Sequence, residues 1–297
     1  MIKLLWNTQN QKIPNAEISK KNEKKKIDFF WGDYHKKSSD IWIYEILKSI
    51  EYTKIESQSE LNKEDILIII DSSVEEKINL YDKLKSICSK VYLFHLGDES
   101  GLYNLNPVYS KCDFIWRTFC SNKYFLNEKV KCFPIGYKSG IIKKNKNKRK
   151  YKWAFTGTPH KSSRHDLLYQ FSDIEPFFCH RTDNFNKKII STEEMSEVLS
   201  STNFIPCPNG FFHPETYRLY ESLECGCIPI VEDSYQYYDR LFPKNPFIKV
   251  NKWIDAKLII KDLDEKKIKS KQNDCIMWWE REKEKIKKFI KEKIVNG

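Results

Sequence analysis

Short, continuous apolar runs recur along the chain and alternate with stretches of helical periodicity. Such runs are typical of parallel strands that are buried on both faces, with helices covering the sheet. The pattern therefore predicts an α/β protein with doubly wound sheets. In the first half it predicts strands at Ile27–Trp31, Ile66–Asp71, Val91–Leu96, Phe114–Trp116 and Val130–Ile135, and helices at Asp40–Ile50 and Val74–Cys88.

A basic segment then interrupts the pattern. Lys138–Lys152 contains eight Lys or Arg, no acidic residue and no periodicity, which predicts a solvated linker. The alternation restarts with strands at Trp153–Thr156, Ile174–Cys179, Asn203–Cys207, Ile228–Val231 and Phe247–Val250, and helices at Arg164–Phe171, Thr192–Ser201 and Pro214–Cys225. Two domains, residues 1–140 and 141–270, are predicted, with a single larger sheet as the alternative. Ligands of such sheets bind beyond the carboxyl ends of the strands.

The C-terminal residues 271–297 are predicted to form a helix with Trp279, Ile286 and Ile290 at heptad-like spacing. We expect this helix to pack back on the N-terminal domain. The alternative is that it lies on an anionic membrane that carries a lipid-linked acceptor. Because the chain has neither a signal-peptide core nor an apolar run of about 20 residues, we expect a cytoplasmic, at most membrane-peripheral protein.

Charge and cysteine content narrow the choice of function. The 52 Lys and Arg exceed the 41 Asp and Glu and give a net charge of +11, which can attract nucleic acid, anionic lipid or phosphorylated substrates. Only seven of these bases are Arg, however, so the excess is mostly lysine and nucleic acid is not an expected partner. The nine scattered cysteines predict reduced, inert thiols. No spacing resembles a zinc site or a nucleotide-binding glycine motif.

The most informative segment is Asn203–Asp233, which contains a Cys-Pro-Asn-Gly loop followed by the predicted helix Pro214–Cys225. At 100° per residue, Arg218 and Glu221 share one side of this helix, away from its leucines. A fixed arginine suits a phosphate, and a carboxylate can accept two hydrogen bonds from a ribose diol. An ordinary surface pair at this spacing is the alternative.

The string RLYESLECGCIPIVEDS, which begins at Arg218, resembles the C-terminal signature of exostosin-type (GT47-type) glycosyltransferases. Ser222 stands where that pattern has Ala. The segment is also similar to α1,3-fucosyltransferases, but Tyr217 replaces their Glu. Looser matches occur at Phe133–Tyr137 and at Phe155–Gly157 followed by Arg164, so the resemblance covers roughly residues 90–235.

The resemblance implies a GT-B fold, in which two Rossmann-like domains face each other across a cleft and the second domain holds a nucleotide sugar. It implies an inverting, metal-independent enzyme without a cofactor, transferring sugar from a UDP-sugar to a glycan or glycolipid acceptor. Carried over to this sequence, Arg218 would contact the diphosphate and Glu221 the ribose. The other donor-binding candidates are Arg164, Gly157, Thr158, Asn209, Gly210 and His213.

Inverting transfer also needs a general base for the acceptor hydroxyl. Asp98 and Glu99 follow a predicted strand directly and are the first candidates, with Asp33 after Ile27–Trp31 as the next. Each could equally belong to a simple turn, and Arg117 could be structural or contact an anionic substrate. Two other functions stay open, namely a fucosyltransferase-like enzyme that uses a GDP-sugar, and a basic, non-catalytic protein that binds polyanions or nucleic acid.

Overall fold

The computed structural model describes residues 1–6, 39–145, 148–182 and 190–296. The predicted strand Ile27–Trp31 and the candidate base Asp33 lie outside these ranges. The chain divides into two compact units, one made of Met1–Pro134 with Ile290–Gly297 and the other of Ile135–Phe289. Each unit contains a parallel sheet with helices, which confirms the predicted α/β class.

The sheet of the first unit has six parallel strands in the order β2-β1-β3-β4-β5-β6. The sequence pattern missed β1 and β2, which are short. Strand β1 pairs with the apolar strand β3, and β2 pairs with β1. The strands are β1 (Ile2–Trp6), β2 (Thr53–Ile55), β3 (Ile66–Asp71), β4 (Lys90–His95), β5 (Phe114–Arg117) and β6 (Val130–Cys132), and the helices are α1 (39–47), α2 (Ile78–Ile87) and α3 (Asn106–Tyr109).

The sheet of the second unit has five parallel strands in the order β11-β10-β9-β7-β8. The strands are β7 (Tyr151–Gly157), β8 (Phe177–Arg181), β9 (Thr202–Cys207), β10 (Ile228–Glu232) and β11 (Ile248–Val250), and the helices are α4 (Arg164–Gln170), α5 (Thr192–Ser200), α6 (Tyr217–Glu224), α7 (Tyr237–Leu241), α8 (Trp253–Asp262) and α9 (Glu265–Val295). The chain moves from β7 to one side and then crosses back to β9 on the other. The strand order therefore reverses between β7 and β9, and ligands bind at such a switch point.

The segment predicted as a solvated linker is instead packed on the second unit. The amide of Ile142 donates to Ser196 Oγ at 3.1 Å, and the amide of Lys144 donates to Ser200 Oγ at 2.8 Å. The two serines are four residues apart and therefore lie on the same face of α5. The linker prediction is wrong because these serines supply the hydrogen bonds that an isolated basic loop would take from water.

Arg149, also in that segment, binds the carbonyl groups at the ends of two helices. It donates to the carbonyl of Leu199 in α5 at 3.1 Å and to those of Cys225 and Gly226, just after α6, at 2.9 and 2.8 Å. Carbonyls at a helix C-terminus have no partner within the helix, and a guanidinium has enough donors to serve several. This arginine therefore joins α5 and α6.

Helix α9 buries its apolar side within the protein. Trp278 and Trp279 are 7% and 1% exposed, and the Trp279 indole and Lys283 donate to Glu224 at 2.9 and 3.1 Å. Most of this helix belongs to the second unit, and the part from Ile290 onward belongs to the first. The buried indoles do not support the alternative that this helix lies on a membrane. Among the described residues, no helix has the length and apolar character needed to cross a bilayer.

One cysteine pair departs from the prediction of reduced thiols. Cys120 and Cys132 form a disulfide. Their separation in sequence gave no sign of it, because the pairing depends on β5 and β6 being neighbours, with Arg117 opposite Cys132. For the free cysteines Cys88 and Cys112 the prediction of inert side chains fits, since burial raises the pKa of Cys88 to about 11 and that of Cys112 to about 12.

We predict that Gly97→Ala strongly destabilises the first unit. A Cβ at this position would lie 1.9 Å from the backbone oxygen of Ser72, which cannot move without shifting the end of β3. We expect the free energy of unfolding to fall by about 3 kcal/mol, the upper range for overpacking. Denaturant unfolding followed by tryptophan fluorescence measures this loss.

Gly101→Ala is the matched control, because it tests backbone conformation without a clash. Gly101 has φ +66°, but its added Cβ would have no neighbour within 4 Å. Its cost should therefore be about 1 kcal/mol. Equal losses in the two variants would show that the contact with Ser72 does not limit position 97.

Candidate active site

A small recess marks the switch point of the second sheet. It is bordered by Phe155 and Thr156 of β7, Ile205 of β9, and Arg218 and Glu221 of α6, together with residues of α5. The two side chains that sequence reasoning placed on one side of a helix therefore line a common recess. Strand pairing and the packing of α6 create this arrangement.

Helix α6 starts later than predicted, at Tyr217 instead of Pro214. Thr216 is extended, with φ −138° and ψ 152°, as is typical of a residue before a helix. The carbonyl of Pro214 accepts from the Tyr238 hydroxyl at 2.8 Å, so a tertiary contact holds the chain just before the helix. Leu219 and Leu223 are buried, as the helical pattern predicts.

Arg218 reaches from α6 to the end of β7. Its Nη2 donates to the carbonyl of Thr156 at 2.7 Å, and its Cζ lies 4.9 Å from the centroid of the Phe155 ring. Burial lowers the pKa of the guanidinium, while its electrostatic interactions with Cys207 and Glu221 oppose this shift. The site therefore favours an additional anion, which would compensate the desolvated cation.

Arg164 approaches the same strand end from α4. It is 7% exposed, and its Nη1 donates to the carbonyl of Thr158 at 3.0 Å. Between the two arginines lies Gly157, whose φ of +132° is rarely adopted by other residues. A Cβ at Gly157 would lie 3.2 Å from Nη2 of Arg218 and 4.0 Å from Nη1 of Arg164. The structure thus brings together four donor-site candidates, Arg218, Arg164, Gly157 and Thr158.

Glu221 is a buried carboxylate beside Arg218. It is 7% exposed, and within the described part of the chain no hydrogen bond to its carboxylate is present. Burial raises its pKa, whereas the charges of Lys138 and Arg218 act in the opposite direction. A buried, ionised carboxylate of this kind destabilises the fold unless a ligand supplies hydrogen-bond donors.

The loop after β9 carries three further candidates at the same edge of the sheet. The amide of Gly210 donates to the carbonyl of His213 at 2.9 Å, and the amide of Asn209 donates to Glu232 Oε2 at 3.3 Å. Asn209 Oδ1 is buried and has no hydrogen-bond partner among the residues that the structure describes. His213 is 8% exposed, and its Nδ1 accepts from the amide of Glu215. The loop is thus fixed at the carboxyl end of β9.

Sequence reasoning missed Glu215, whose hydrogen bonds hold the end of this loop in place. Its carboxylate accepts from the amide of Ile135 at 2.9 Å, from the Tyr237 hydroxyl at 3.0 Å and from the Tyr220 hydroxyl. The sequence shows that several tyrosines follow Glu215. Only the fold brings the hydroxyl groups of Tyr220 and Tyr237 to its carboxylate.

In the first unit, the candidate base Asp98 is held in an ion pair. Its Oδ2 lies 2.9 Å from Nη2 of Arg117, and the two side chains are 1% and 0% exposed. Arg117 also donates to the carbonyl of Asp98 at 3.2 Å and to the Tyr109 hydroxyl at 2.8 Å. His95 completes this buried cluster through Nδ1, 2.7 Å from the Tyr109 oxygen. Arg117 is thus structural, and the Asp98 carboxylate is committed to it.

Glu99, the neighbouring candidate, lies in a different environment. The amide of Gly101 donates to the carbonyl of Asp98 at 3.1 Å, which closes a turn with Glu99 inside it. Glu99 is partly exposed. Within the described ranges, no group of three or more His, Cys, Asp or Glu side chains is arranged to hold a metal ion.

The sequence of the second unit matches a known protein family. The model of the RXYLT1 C-terminal domain matches residues 131–296, more than half of the chain. The chain belongs to the RXYLT1 C-terminal domain family. This is a GT47-type, exostosin-like xylosyltransferase family, which confirms the resemblance seen in the sequence. The match includes all the donor-site candidates, from Gly157 to Glu221, whereas Asp98 and Glu99 precede it.

Two solved structures of an α1,3-fucosyltransferase resemble the chain as a whole. The first is 12% identical, with a TM-score of 0.50 over 92% of this chain and 80% of that chain. The second, with GDP, is 14% identical, with a TM-score of 0.47 over the same shares. The first likeness shows the GT-B fold. No curated protein matches the chain by sequence. Family and fold together identify a GT-B glycosyltransferase.

We predict that Glu221→Gln stabilises this member of the RXYLT1 C-terminal domain family. Because the pKa of Glu221 is raised from 4.5, the folded protein binds more protons than the unfolded chain between the two pKa values. Its free energy of unfolding therefore falls as pH rises through that window. Gln removes this cost, so the variant should be more stable than wild type at about pH 7 and equal to it below about pH 4.

Glu193→Gln is the control, because Glu193 is 82% exposed on α5 in the same unit. It should change the unfolding free energy by less than about 0.5 kcal/mol. Thermal and denaturant unfolding at both pH values measure the difference. A Glu221→Gln variant that is less stable at neutral pH would show that the ionised carboxylate is well compensated in the fold.

Proposed function

We propose that this glycosyltransferase is an inverting enzyme that transfers sugar from a UDP-sugar to a hydroxyl of a glycan or glycolipid. The observation that carries the proposal is the approach of two guanidinium groups to Gly157 at the switch point, with the buried Glu221 in the recess that Arg218 lines. This edge of a parallel sheet is where nucleotides bind.

The diphosphate of the donor is assigned to Arg218 and Arg164. Guanidinium groups form charge-assisted hydrogen bonds to phosphate oxygens, and the amides at the start of α6 add positive potential. Thr216, at the N-cap of α6, makes no side-chain cap hydrogen bond, which supports this role for the helix start. These cations would stabilise the leaving diphosphate without a bound metal, and no cofactor beyond the nucleotide sugar is proposed.

The ribose is assigned to Glu221. Its carboxylate lies in the recess with Arg218, and a diol would supply the two donors that this buried group needs. A UDP-sugar is preferred over a GDP-sugar because the chain belongs to a xylosyltransferase family. UDP-xylose is therefore the first donor to test.

For the base we propose Glu99. The acceptor hydroxyl oxygen attacks the anomeric carbon from the face opposite the diphosphate, and the bond from that carbon to the diphosphate oxygen breaks with its electron pair. The hydroxyl proton passes to the carboxylate. Asp98 is less suited, because its ion pair with Arg117 would have to break first.

A melting-temperature panel tests the donor. We expect UDP and UDP-xylose to raise the melting temperature more than GDP, GDP-fucose or ADP, since a ligand stabilises the state that it binds. The shifts should be the same in EDTA, because the arginines replace a metal. A shift that EDTA abolishes would contradict metal independence, and a larger shift with GDP would favour the fucosyltransferase-like alternative.

Variants of the two arginines locate the binding site. Arg218→Ala and Arg164→Ala should each raise the Kd for UDP by about tenfold or more, the loss of one charge-assisted contact. Arg281→Ala, an exposed residue of α9, should leave the Kd unchanged. Wild-type affinity in both Arg218→Ala and Arg164→Ala, measured by calorimetry, would remove the donor-site assignment.

The base is tested by Glu99→Gln, which removes the proton acceptor with little change in size. We expect kcat to fall by about 10²–10⁴-fold with unchanged UDP affinity. Turnover is measured as UDP release from the UDP-sugar, with water or added methyl glycosides as acceptor.

Asp98→Asn is the matched control in the same turn. It leaves buried Arg117 without its counter-charge and should cost about 3–5 kcal/mol of stability. Turnover per folded molecule should be retained. If Glu99→Gln turns over normally, the base lies elsewhere, and Asp33 is the next residue to change.

A further inference from the structure

Two phenylalanine rings are exposed at the carboxyl end of β9. Phe211 and Phe212 are 59% and 73% exposed, and their ring centroids are 6.2 Å apart with the planes tilted by 35°. We call this pair the Phe211–Phe212 platform. Adjacent large apolar side chains in water, surrounded by polar groups, are typical of a binding surface.

The exposure of the platform does not come from a loose loop. On its N-terminal side Gly210 donates to the carbonyl of His213, and on its C-terminal side the carbonyl of Pro214 accepts from the Tyr238 hydroxyl. The rings of His213 and Tyr237 also pack edge to face, with their centroids 4.7 Å apart. The backbone thus presents both rings from a fixed position, and such preorganisation lowers the cost of binding.

The platform borders the proposed donor site. The ammonium of Lys161 lies 3.5 Å from the centroid of the Phe211 ring, and this lysine is only 8% exposed. Lys161 belongs to the loop between β7 and α4, the same loop that carries Thr158. The contact therefore joins the two loops that follow β7 and β9, the strands on either side of the switch point.

We propose that the Phe211–Phe212 platform binds a sugar ring of the acceptor by stacking, an inference that rests on the proposed function. One face of a pyranose presents mainly C–H groups, which are apolar and pack on an aromatic ring, while its hydroxyl groups stay in water. The acceptor would thereby contact the unit that holds the donor. Glycan binding by this loop is a role beyond the donor binding predicted for Asn209, Gly210 and His213.

Local charge favours a sugar over a membrane as the occupant. An anionic bilayer is bound by apolar side chains together with accessible Lys or Arg. Here the Lys161 ammonium faces the ring of Phe211, and Glu232 accepts from the amide of Asn209, two residues from that ring. An uncharged, amphipathic ligand suits this surface better.

Saturation-transfer NMR tests the proposal with the methyl glycosides of xylose, galactose, glucose and N-acetylglucosamine, each with UDP present. We expect at least one glycoside to receive saturation from wild type. The double variant F211A/F212A should weaken that signal by about tenfold, as for the loss of an anchoring aromatic. Tyr169→Ala, which removes a 77% exposed aromatic of α4, should leave the signal unchanged.

The other outcomes overturn the inference. The first is that wild type responds to none of the glycosides, and the second is that the double variant responds as strongly as wild type. The third is that the double variant loses the UDP melting-temperature shift, which would assign the rings to the donor. Binding of wild type but not of the double variant to phosphatidylserine vesicles would assign them to a membrane. If wild type binds no nucleotide, the proposed donor function fails, whereas a normal UDP shift with unaffected glycoside binding removes the platform alone.

Discussion

The hydrogen bond from Arg218 to the carbonyl of Thr156 ties helix α6 to the strand at which the sheet reverses its order. That strand ends in Gly157, and a second arginine, Arg164, approaches the same backbone from α4. A Cβ at position 157 would lie 3.2 Å from Nη2 of Arg218, so a side chain there would crowd this guanidinium. The proposed donor site therefore depends on a close approach of Arg218 to a glycine backbone.

This arrangement has an energetic cost that the rest of the second unit offsets. Burial disfavours the charged forms of both Arg218 and Glu221, which lowers the pKa of the first and raises that of the second. A site that stabilises its ligand is often costly in the free protein. Glu215 and Arg149 hold the two ends of α6 by several hydrogen bonds each, so the helix cannot shift to relieve that cost.

The first unit shows how differently two neighbouring carboxylates can be used. Asp98 is buried against Arg117 in a cluster with His95 and Tyr109, and a turn follows it directly. Glu99, the next residue, stays partly exposed within that turn. In sequence the two acids are equivalent, and only the long-range partner Arg117 separates their roles.

Sequence alone determined the α/β class, most strands and helices, and the family, because hydrophobic periodicity and the segment from Arg218 to Asp233 are local signals. It also placed Arg218 and Glu221 on one side of a helix. It gave no sign of strands β1 and β2, of the disulfide between Cys120 and Cys132, or of the packing of the basic segment on α5. Those features, like the approach of Arg164 and Arg218 to Gly157, join residues that are distant in the chain. Such contacts are decided by which strands become neighbours, and that is a property of the whole sheet that no short stretch of residues contains.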